Sequence, residues 1–206
     1  MFSALLLLAM ALTPVERAVA YLSKEVPKWR GENGCFSCHN NGDGARALYM
    51  AGVPSSGTAL RETAVWLAKP SQWDSNRGDP AVSDKKLARI QFGAALLASG
   101  EKGAICAAAG VIENDRSADG SWVIDSGSPA TYGTALATYY ARQVLRACGR
   151  DTGLTDHWFT ALRPGNVVEA AAMLLAFPER EDAREYLIKA QTSDGGWGEY
   201  PAMPAQ

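Results

Sequence analysis

Residues 182–197, which read DAREYLIKAQTSDGGW, decide the fold of this chain. In this stretch the aromatic and aliphatic pair Tyr186 and Leu187 precedes a Gly-x-Trp turn made by Gly195 and Trp197. Good helix formers surround the pair, whereas a glycine two residues before a large aromatic side chain is typical of a tight turn. The stretch therefore predicts a helix that ends in a turn carrying a structural tryptophan.

A pair of large apolar residues recurs at three earlier places in the chain. The earlier pairs, at intervals of 75, 45 and 45 residues, are Val111 with Ile112, Trp66 with Leu67, and Tyr21 with Leu22. The pair at 111 keeps Gly120 and Trp122 at the same spacing, and the pair at 66 is followed by Trp73 at a shorter one. Recurrence of this kind predicts structural repeats, with the longer interval holding an insertion or an eroded copy. We expect Trp122 and Trp197 to be buried at equivalent places in their repeats.

The segments between these marks have the apolar periodicity of helices. Residues 87–99, 132–145 and 167–177 each carry an apolar stripe with helical spacing, and Gly or Pro follows each of them closely. No segment alternates with the period of two that a half-buried strand requires. The sequence thus predicts an all-α fold built from αα-hairpins that bury their faces against neighbouring hairpins.

The pattern of residues 182–197 resembles the QW repeat of squalene and oxidosqualene cyclases, whose α/α-toroid is shared with protein prenyltransferases. One position departs from that pattern, since Asp182 stands where the family prefers Lys or Arg. The resemblance implies an α/α-toroid with an incomplete ring, because Gln206 follows a repeat loop without the helix that would complete the hairpin. It also implies a terpenoid or other apolar molecule as one class of ligand.

The first repeat differs from the others because residues 35–39 read CFSCH. C-x-x-C-H is the attachment motif of c-type haem, in which two thiols bind the porphyrin and the histidine binds the iron. We predict haem c as cofactor, Cys35 and Cys38 as its attachment points and His39 as proximal iron ligand. In place of a Gly-x-Trp turn, residues 28–41 are predicted to form the loop that presents these side chains.

The N-terminal residues have the composition of an export signal. Residues 2–12 form an uncharged apolar run, and Ala9 and Ala11 offer the small-x-small pattern of a cleavage site, although no Lys or Arg precedes the run. We expect a signal peptide at 1–11, a repeat domain at 12–206, and a periplasmic or secreted protein. A buried first helix is the alternative.

The opposite side of the haem has few candidate ligands. His157 is the only other histidine, and Met50, Met173 and Met203 are the candidate thioethers. His157 could equally be a surface residue, so five-coordinate and six-coordinate iron both stay open.

The cysteines also permit other interpretations. Cys35, Cys38 and His39 could bind zinc, or the two cysteines could form a disulfide or redox pair. The other two, Cys106 and Cys148, could bridge in an oxidising compartment or simply be buried.

The composition and the acidic residues limit the classes of function that this chain can have. A formal net charge of -2 without a basic cluster argues against a nucleic-acid partner. The Asp-x-Asp-Asp acid of the cyclases is missing, and we expect the acidic residues nearest to such a group to be exposed: Asp115, Asp119, Asp125, Asp151 and Asp156. We therefore predict a haem-binding protein that exchanges electrons with a redox partner protein. A terpenoid cyclase-like enzyme and a non-catalytic scaffold are the alternatives.

Overall fold

The protein is all-α in the residues that a computed structural model describes, which are 12–53, 58–75, 84–124, 132–201 and 203. The α-helices are α1 (Pro14–Asn33), α2 (Ala45–Met50), α3 (Thr58–Leu67), α4 (Lys85–Ser99), α5 (Lys102–Glu113), α6 (Gly133–Ala147), α7 (Gly153–Ala161), α8 (Val167–Ala176) and α9 (Glu181–Ala190). A π-helix (Cys38–Gly44) precedes α2, and a 3₁₀-helix (Pro70–Ser75) follows α3. None of these helices is long and apolar enough to cross a membrane. The expected signal peptide at 1–11 lies outside the described residues.

The apolar stripes at 87–99, 132–145 and 167–177 lie in α4, α6 and α8, which confirms these three helices. The start that Ser128 and Pro129 indicate for the second of them lies outside the described residues. Helix α4 begins two residues earlier than its apolar stripe because the Asp84 side chain caps it by accepting the Leu87 N–H at 3.0 Å. It ends at Gly100, which adopts the left-handed conformation (φ 77°) that glycine tolerates. Local sequence signals thus set both ends of this central helix.

Four of the helices form a row in which each packs against the next, in the order α2, α4, α6 and α8. Helix α5 packs against α4 and α6, and α9 packs against α8. Because only two residues connect α4 to α5, these two form an αα-hairpin. The apolar faces meet in three clusters along the row, and the largest surrounds Phe92, Trp122 and Trp73.

The repeat appears as a shared hydrogen bond between a tryptophan and a preceding helix. In the last three of the four apolar pairs, the carbonyl of the second residue accepts the N–H of a tryptophan indole. The three bonds are Trp73 to Leu67 (3.0 Å), Trp122 to Ile112 (2.7 Å) and Trp197 to Leu187 (2.8 Å). Each tryptophan thereby closes the C-terminal end of its helix, where carbonyls lack helical partners.

The loops that carry Trp122 and Trp197 have the same backbone, 75 residues apart. In one, the Ser117 N–H donates to the Ser121 carbonyl, and in the other Thr192 donates to Gly196. The glycine two residues before each tryptophan has a positive φ, 93° at Gly120 and 86° at Gly195, which confirms the predicted turns.

The two tryptophans differ in burial, which corrects the prediction that both would be buried. Trp122 is fully buried and its backbone N–H donates to Thr138 on α6, whereas Trp197 is 42% exposed. The described residues after Trp197 form no helix over it, so the shared turn does not by itself bury the ring.

Cys106 and Cys148 form a disulfide that joins α5 to the end of α6. Their Cα atoms are 5.3 Å apart, within the range that a disulfide spans. The sequence left open whether these cysteines form a disulfide or are simply buried, and the structure contains the disulfide.

Candidate cofactor-binding site

The C-x-x-C-H motif lies between two helices, in a loop that is shorter than predicted. Helix α1 continues through Pro27 to Asn33, and the π-helix already begins at Cys38, so the predicted loop at 28–41 shrinks to 34–37. Gly34 ends α1 in the left-handed conformation (φ 60°), with its N–H bonded to the Arg30 carbonyl at 3.0 Å. This glycine directs the chain out of α1 immediately before Cys35.

Phe36, between the two cysteines, anchors the motif in the core. It is 5% exposed, and its ring lies 5.0 Å from Trp66 and 5.8 Å from Phe92 between ring centroids. Aromatic pairs at these distances add to the free energy of burial. With Phe36 pointing inward, its neighbours Cys35 and Cys38 lie at the rim of the core, where both thiols are partly exposed.

Ser37, the second residue between the cysteines, starts the π-helix. Its hydroxyl accepts the Asn40 N–H at 3.2 Å, and its carbonyl accepts the N–H groups of both Asn41 (2.8 Å) and Gly42 (3.1 Å). The bond to Gly42 spans five residues, which defines a π-turn, a geometry found frequently at functional sites. A Cβ on Gly42 would lie 3.1 Å from the Cβ of Gln91 on α4, so glycine allows this close approach.

Two asparagines tie the π-helix to α1. The side-chain amide of Asn40 donates to the Glu25 carbonyl at 3.3 Å, and that of Asn41 donates to the Val26 carbonyl at 3.4 Å. Asn41 is buried and also accepts the Ser37 N–H. The segment is consequently held by α1 on one side and by α4 on the other.

The three predicted cofactor residues are therefore presented at the surface on a fixed backbone. Cys35 and Cys38 are unpaired thiols, and burial raises the pKa of Cys38, an effect to which Asp43 adds. His39 is exposed, and its imidazole makes no hydrogen bond within the described part of the chain. Neither cysteine is in a disulfide, and neither ring nitrogen of His39 has a hydrogen-bond partner among the described residues.

A polar group lies behind the motif, between the π-helix and α4. The Gln91 amide, on α4, donates to Asp43 Oδ2 at 2.5 Å, and Arg46 Nη2 lies 3.1 Å from Asp43 Oδ1. Burial raises the pKa of the Asp43 carboxyl, while Arg46, the Gln91 hydrogen bond and His39 lower it. Arg46 is itself fixed, since it donates to the Tyr132 hydroxyl at 3.0 Å and stacks 4.3 Å above the ring of Tyr140.

The candidate ligands for the opposite side of the iron are scattered. His157 is exposed on α7, while the elements packed closely against the π-helix are α1, α2 and α4. Met173 is fully buried in the core beside α9, and Met203 is partly exposed near the C-terminal end. Met50 is exposed at the end of α2, the helix that directly continues the π-helix.

Two of the five acidic residues that were predicted to be exposed are less exposed than expected, which corrects the prediction for them. Asp119 and Asp151 are exposed, and Asp125 lies outside the described residues. Asp115 instead accepts two bonds from Arg89, at 2.8 and 2.7 Å, and Asp156 pairs with the buried Arg142. Both carboxylates were expected in solvated loops, but each faces an arginine on a neighbouring core helix.

The residues of the motif can be compared with what zinc and a covalently attached haem each require. Among the described residues, no three His, Cys, Asp or Glu side chains converge as a metal-binding group, which zinc would need. A haem instead needs two accessible thiols and an unengaged imidazole next to them, with apolar surface nearby. Cys35, Cys38, His39 and the partly exposed Trp66 next to Phe36 provide these features.

The motif was visible in the sequence, whereas the residues that support it were not. Phe36 and Ser37 fill the variable positions of the motif, and Ser37, as a common N-cap residue, is the one signal that could have located the start of the π-helix. Asp43 and Gln91 are 48 residues apart, and no local pattern connects them.

Comparison with known proteins adds no assignment: no protein-family model, no curated protein and no solved structure matches this chain.

Proposed function

We propose that this protein binds haem c covalently through Cys35 and Cys38, with His39 as an axial ligand of the iron, and that it exchanges electrons with a redox partner protein. The observation that supports this most directly is the motif's geometry, in which Phe36 is buried while the flanking thiols and His39 stay accessible. Covalent haem attachment requires two thiols and a neighbouring imidazole that serve one planar group, and this short segment contains all three.

The chemistry assigned to these residues is simple. Cys35 and Cys38 would each hold the porphyrin by a thioether, formed when the S–H adds across one vinyl group with no leaving group. His39 would supply a neutral nitrogen to the iron. Haem, when bound, provides a one-electron redox centre that the side chains of this protein lack.

The disulfide supports an oxidising location for the same chain. Cys106 and Cys148 are paired, and disulfides persist in the periplasm and outside the cell rather than in a reducing cytosol. Covalent haem attachment in bacteria takes place in that same compartment. We therefore propose a periplasmic or secreted protein.

For the body of the protein we propose an incomplete α/α-toroid. The row of α2, α4, α6 and α8 would be its inner layer, with α5 and α9 in the outer layer. The repeated indole-to-carbonyl bond supports this arrangement because it recurs at the end of an outer helix in α5 and α9.

The test is expression with a cytochrome c maturation system, followed by a pyridine-haemochrome spectrum and a haem stain after denaturing electrophoresis. We expect covalent haem in the wild type and loss of the two-thioether spectrum in Cys38→Ala, with unchanged helicity by circular dichroism. A matched control is the double variant Cys106→Ser with Cys148→Ser, which should keep its haem. A wild-type protein that folds without covalent haem would overturn the proposal.

The rival hypothesis, a terpenoid cyclase-like enzyme, is tested by incubation of the haem-free protein with squalene. Cyclised product would favour the enzyme, and unchanged squalene is the result that we expect.

A further inference from the structure

Two buried oxygen atoms next to the motif lack the hydrogen bonds that buried acceptors normally have. Among the buried polar side-chain atoms in the described ranges, Asp43 Oδ1 and Gln91 Oε1 have no hydrogen-bond partner. Gln91 is only 1% exposed, so solvent does not satisfy its amide oxygen. A buried acceptor without a donor is destabilising, so each such atom calls for an explanation.

The Asp43 carboxylate is held in place from two directions. The Gln91 amide fixes Oδ2 at 2.5 Å, and the Arg46 guanidinium lies 3.1 Å from Oδ1 as an ion pair without hydrogen-bond alignment. Arg46 is in turn oriented by Tyr132 and Tyr140. Oδ1 is therefore a fixed acceptor that lacks a hydrogen-bond donor.

His39 is the nearby group with a free donor. It precedes Asp43 by four residues in the same π-helix, which places the two side chains on one face of the helix. The imidazole is exposed and has no hydrogen-bond partner in the described ranges, so its ring N–H is available to an acceptor on the same helix face. An imidazole that binds a metal through one nitrogen still carries an N–H on the other.

The geometry points to Asp43 as a positioning residue that accepts the ring N–H of His39 when His39 binds haem iron. This inference rests on the proposed haem function and goes beyond it, because it names what sets the basicity of the ligand. A carboxylate partner fixes the orientation of a ligating imidazole and makes its coordinating nitrogen more basic. A more basic ligand favours ferric over ferrous iron, so Asp43 should lower the reduction potential.

The experiment uses the haem-loaded protein, with Asp43→Asn as the test variant and Asp182→Asn as the matched control. Asp182 is also a carboxylate paired with an arginine, Arg180 at 2.7 Å, but it lies at the start of α9. For Asp43→Asn we expect an approximately tenfold shift of the redox equilibrium toward ferrous iron, which is 59 mV for a one-electron couple. The iron–histidine stretching band in the resonance Raman spectrum of the reduced protein should move to lower frequency, and neither quantity should change in Asp182→Asn.

The vibrational band separates a hydrogen bond from the mere loss of a charge, since charge alone would shift the potential and leave the band in place. A shifted potential with an unshifted band, or no shift in either, overturns the inference while covalent haem on the gel leaves the proposed function intact. Absence of covalent haem from the wild type overturns the proposed function itself.

A measurement on the unmodified protein covers the case in which Asp43→Asn does not fold. The ring N–H proton of His39, observed by NMR in the haem-loaded protein, should exchange slowly with deuterated water because a carboxylate holds it. Exchange at the rate of a solvent-exposed imidazole would overturn the inference.

Discussion

Residues 35–44 and residues 117–122 both follow a helix and place one aromatic side chain in the same core cluster, yet they use their polar groups in opposite ways. The loop at 117–122 satisfies its own groups, because Ser117 and Ser121 pair through their backbones and the Trp122 indole bonds to Ile112. The segment at 35–44 is anchored by Phe36, which has no polar atom, and its thiols and imidazole stay free.

This difference shows two ways in which a segment that follows a helix can be anchored by one aromatic side chain. At 35–44 the phenyl ring provides an apolar anchor without the indole hydrogen bond that closes the helix end at 117–122. Gly34 ends α1 and the Ser37 hydroxyl caps the π-helix instead, through backbone and hydroxyl groups. Substitutions in both segments, 35–44 and 117–122, test this comparison.

The largest effect is expected at the structural loop. Trp122→Ala removes a fully buried ring and an indole bond, and should lower the free energy of unfolding by about 4 kcal/mol. Trp197→Ala, with the same hydrogen bond but a partly exposed ring, should cost about 1 kcal/mol. Urea unfolding followed by circular dichroism measures both, and equal losses would contradict the view that burial separates the two copies.

On the motif side, Phe36→Ala should lower the free energy of unfolding by about 3 kcal/mol, since the ring packs against Trp66 and Phe92. Phe36→Leu, the control, keeps apolar volume and should cost less than about 1.5 kcal/mol. The same urea titration applies. A negligible loss in Phe36→Ala would mean that the motif is not anchored by this ring.

Removal of the Cys106–Cys148 disulfide should lower the free energy of unfolding without changing the loop at 117–122. The bridge closes a loop between residues 42 apart, and its loss in the double serine variant should cost about 2.5 kcal/mol. The melting temperature of the oxidised wild type should fall on treatment with a reductant, whereas that of the double variant should not respond. A response in both would point to another disulfide.

A smaller effect is expected from Ser37→Ala, which removes the hydroxyl that accepts the Asn40 N–H. Loss of such a cap costs about 1 kcal/mol. Thermal unfolding measures it, and Ser37→Thr, which keeps a hydroxyl, serves as control. If the two variants are equally stable, the cap does not hold the π-helix.

The smallest effect concerns acid stability of the structural loop. The backbone N–H and hydroxyl of Ser121 lower the pKa of Asp119. Its contribution to stability is therefore complete above the ordinary aspartate pKa of about 4 and is lost as the pH falls through the lower folded value. Unfolding between pH 7 and 2 should show a slightly weaker pH dependence in Asp119→Asn. A stronger dependence in the variant would contradict the assigned sign.

Much of the fold was predictable because its signals are local. The apolar stripes and glycine stops predicted α4, α6 and α8, and the apolar pairs located the carbonyls that accept the indole bonds. The burial of Trp197 was not predictable, since it depends on what packs over the turn rather than on the turn itself.

At the candidate site, the sequence shows the motif but not the structure that holds it. C-x-x-C-H is a local motif, but the π-helix depends on the approach of Gly42 to Gln91, which belongs to a helix far along the chain. The extension of α1 through Pro27 was also unexpected, because proline usually interrupts a helix.

The asparagine bonds between the π-helix and α1 have a consequence for the order of folding. Asn40 bonds to a carbonyl 15 residues away, whereas Asp43 and Gln91 are separated by 48 residues. Closing the shorter loop costs about 1 kcal/mol less chain entropy, so the contact with α1 should form first. If haem is attached as we propose, the two cysteines would then be displayed beside α1 before α4 packs against the π-helix and brings Gln91 to Asp43.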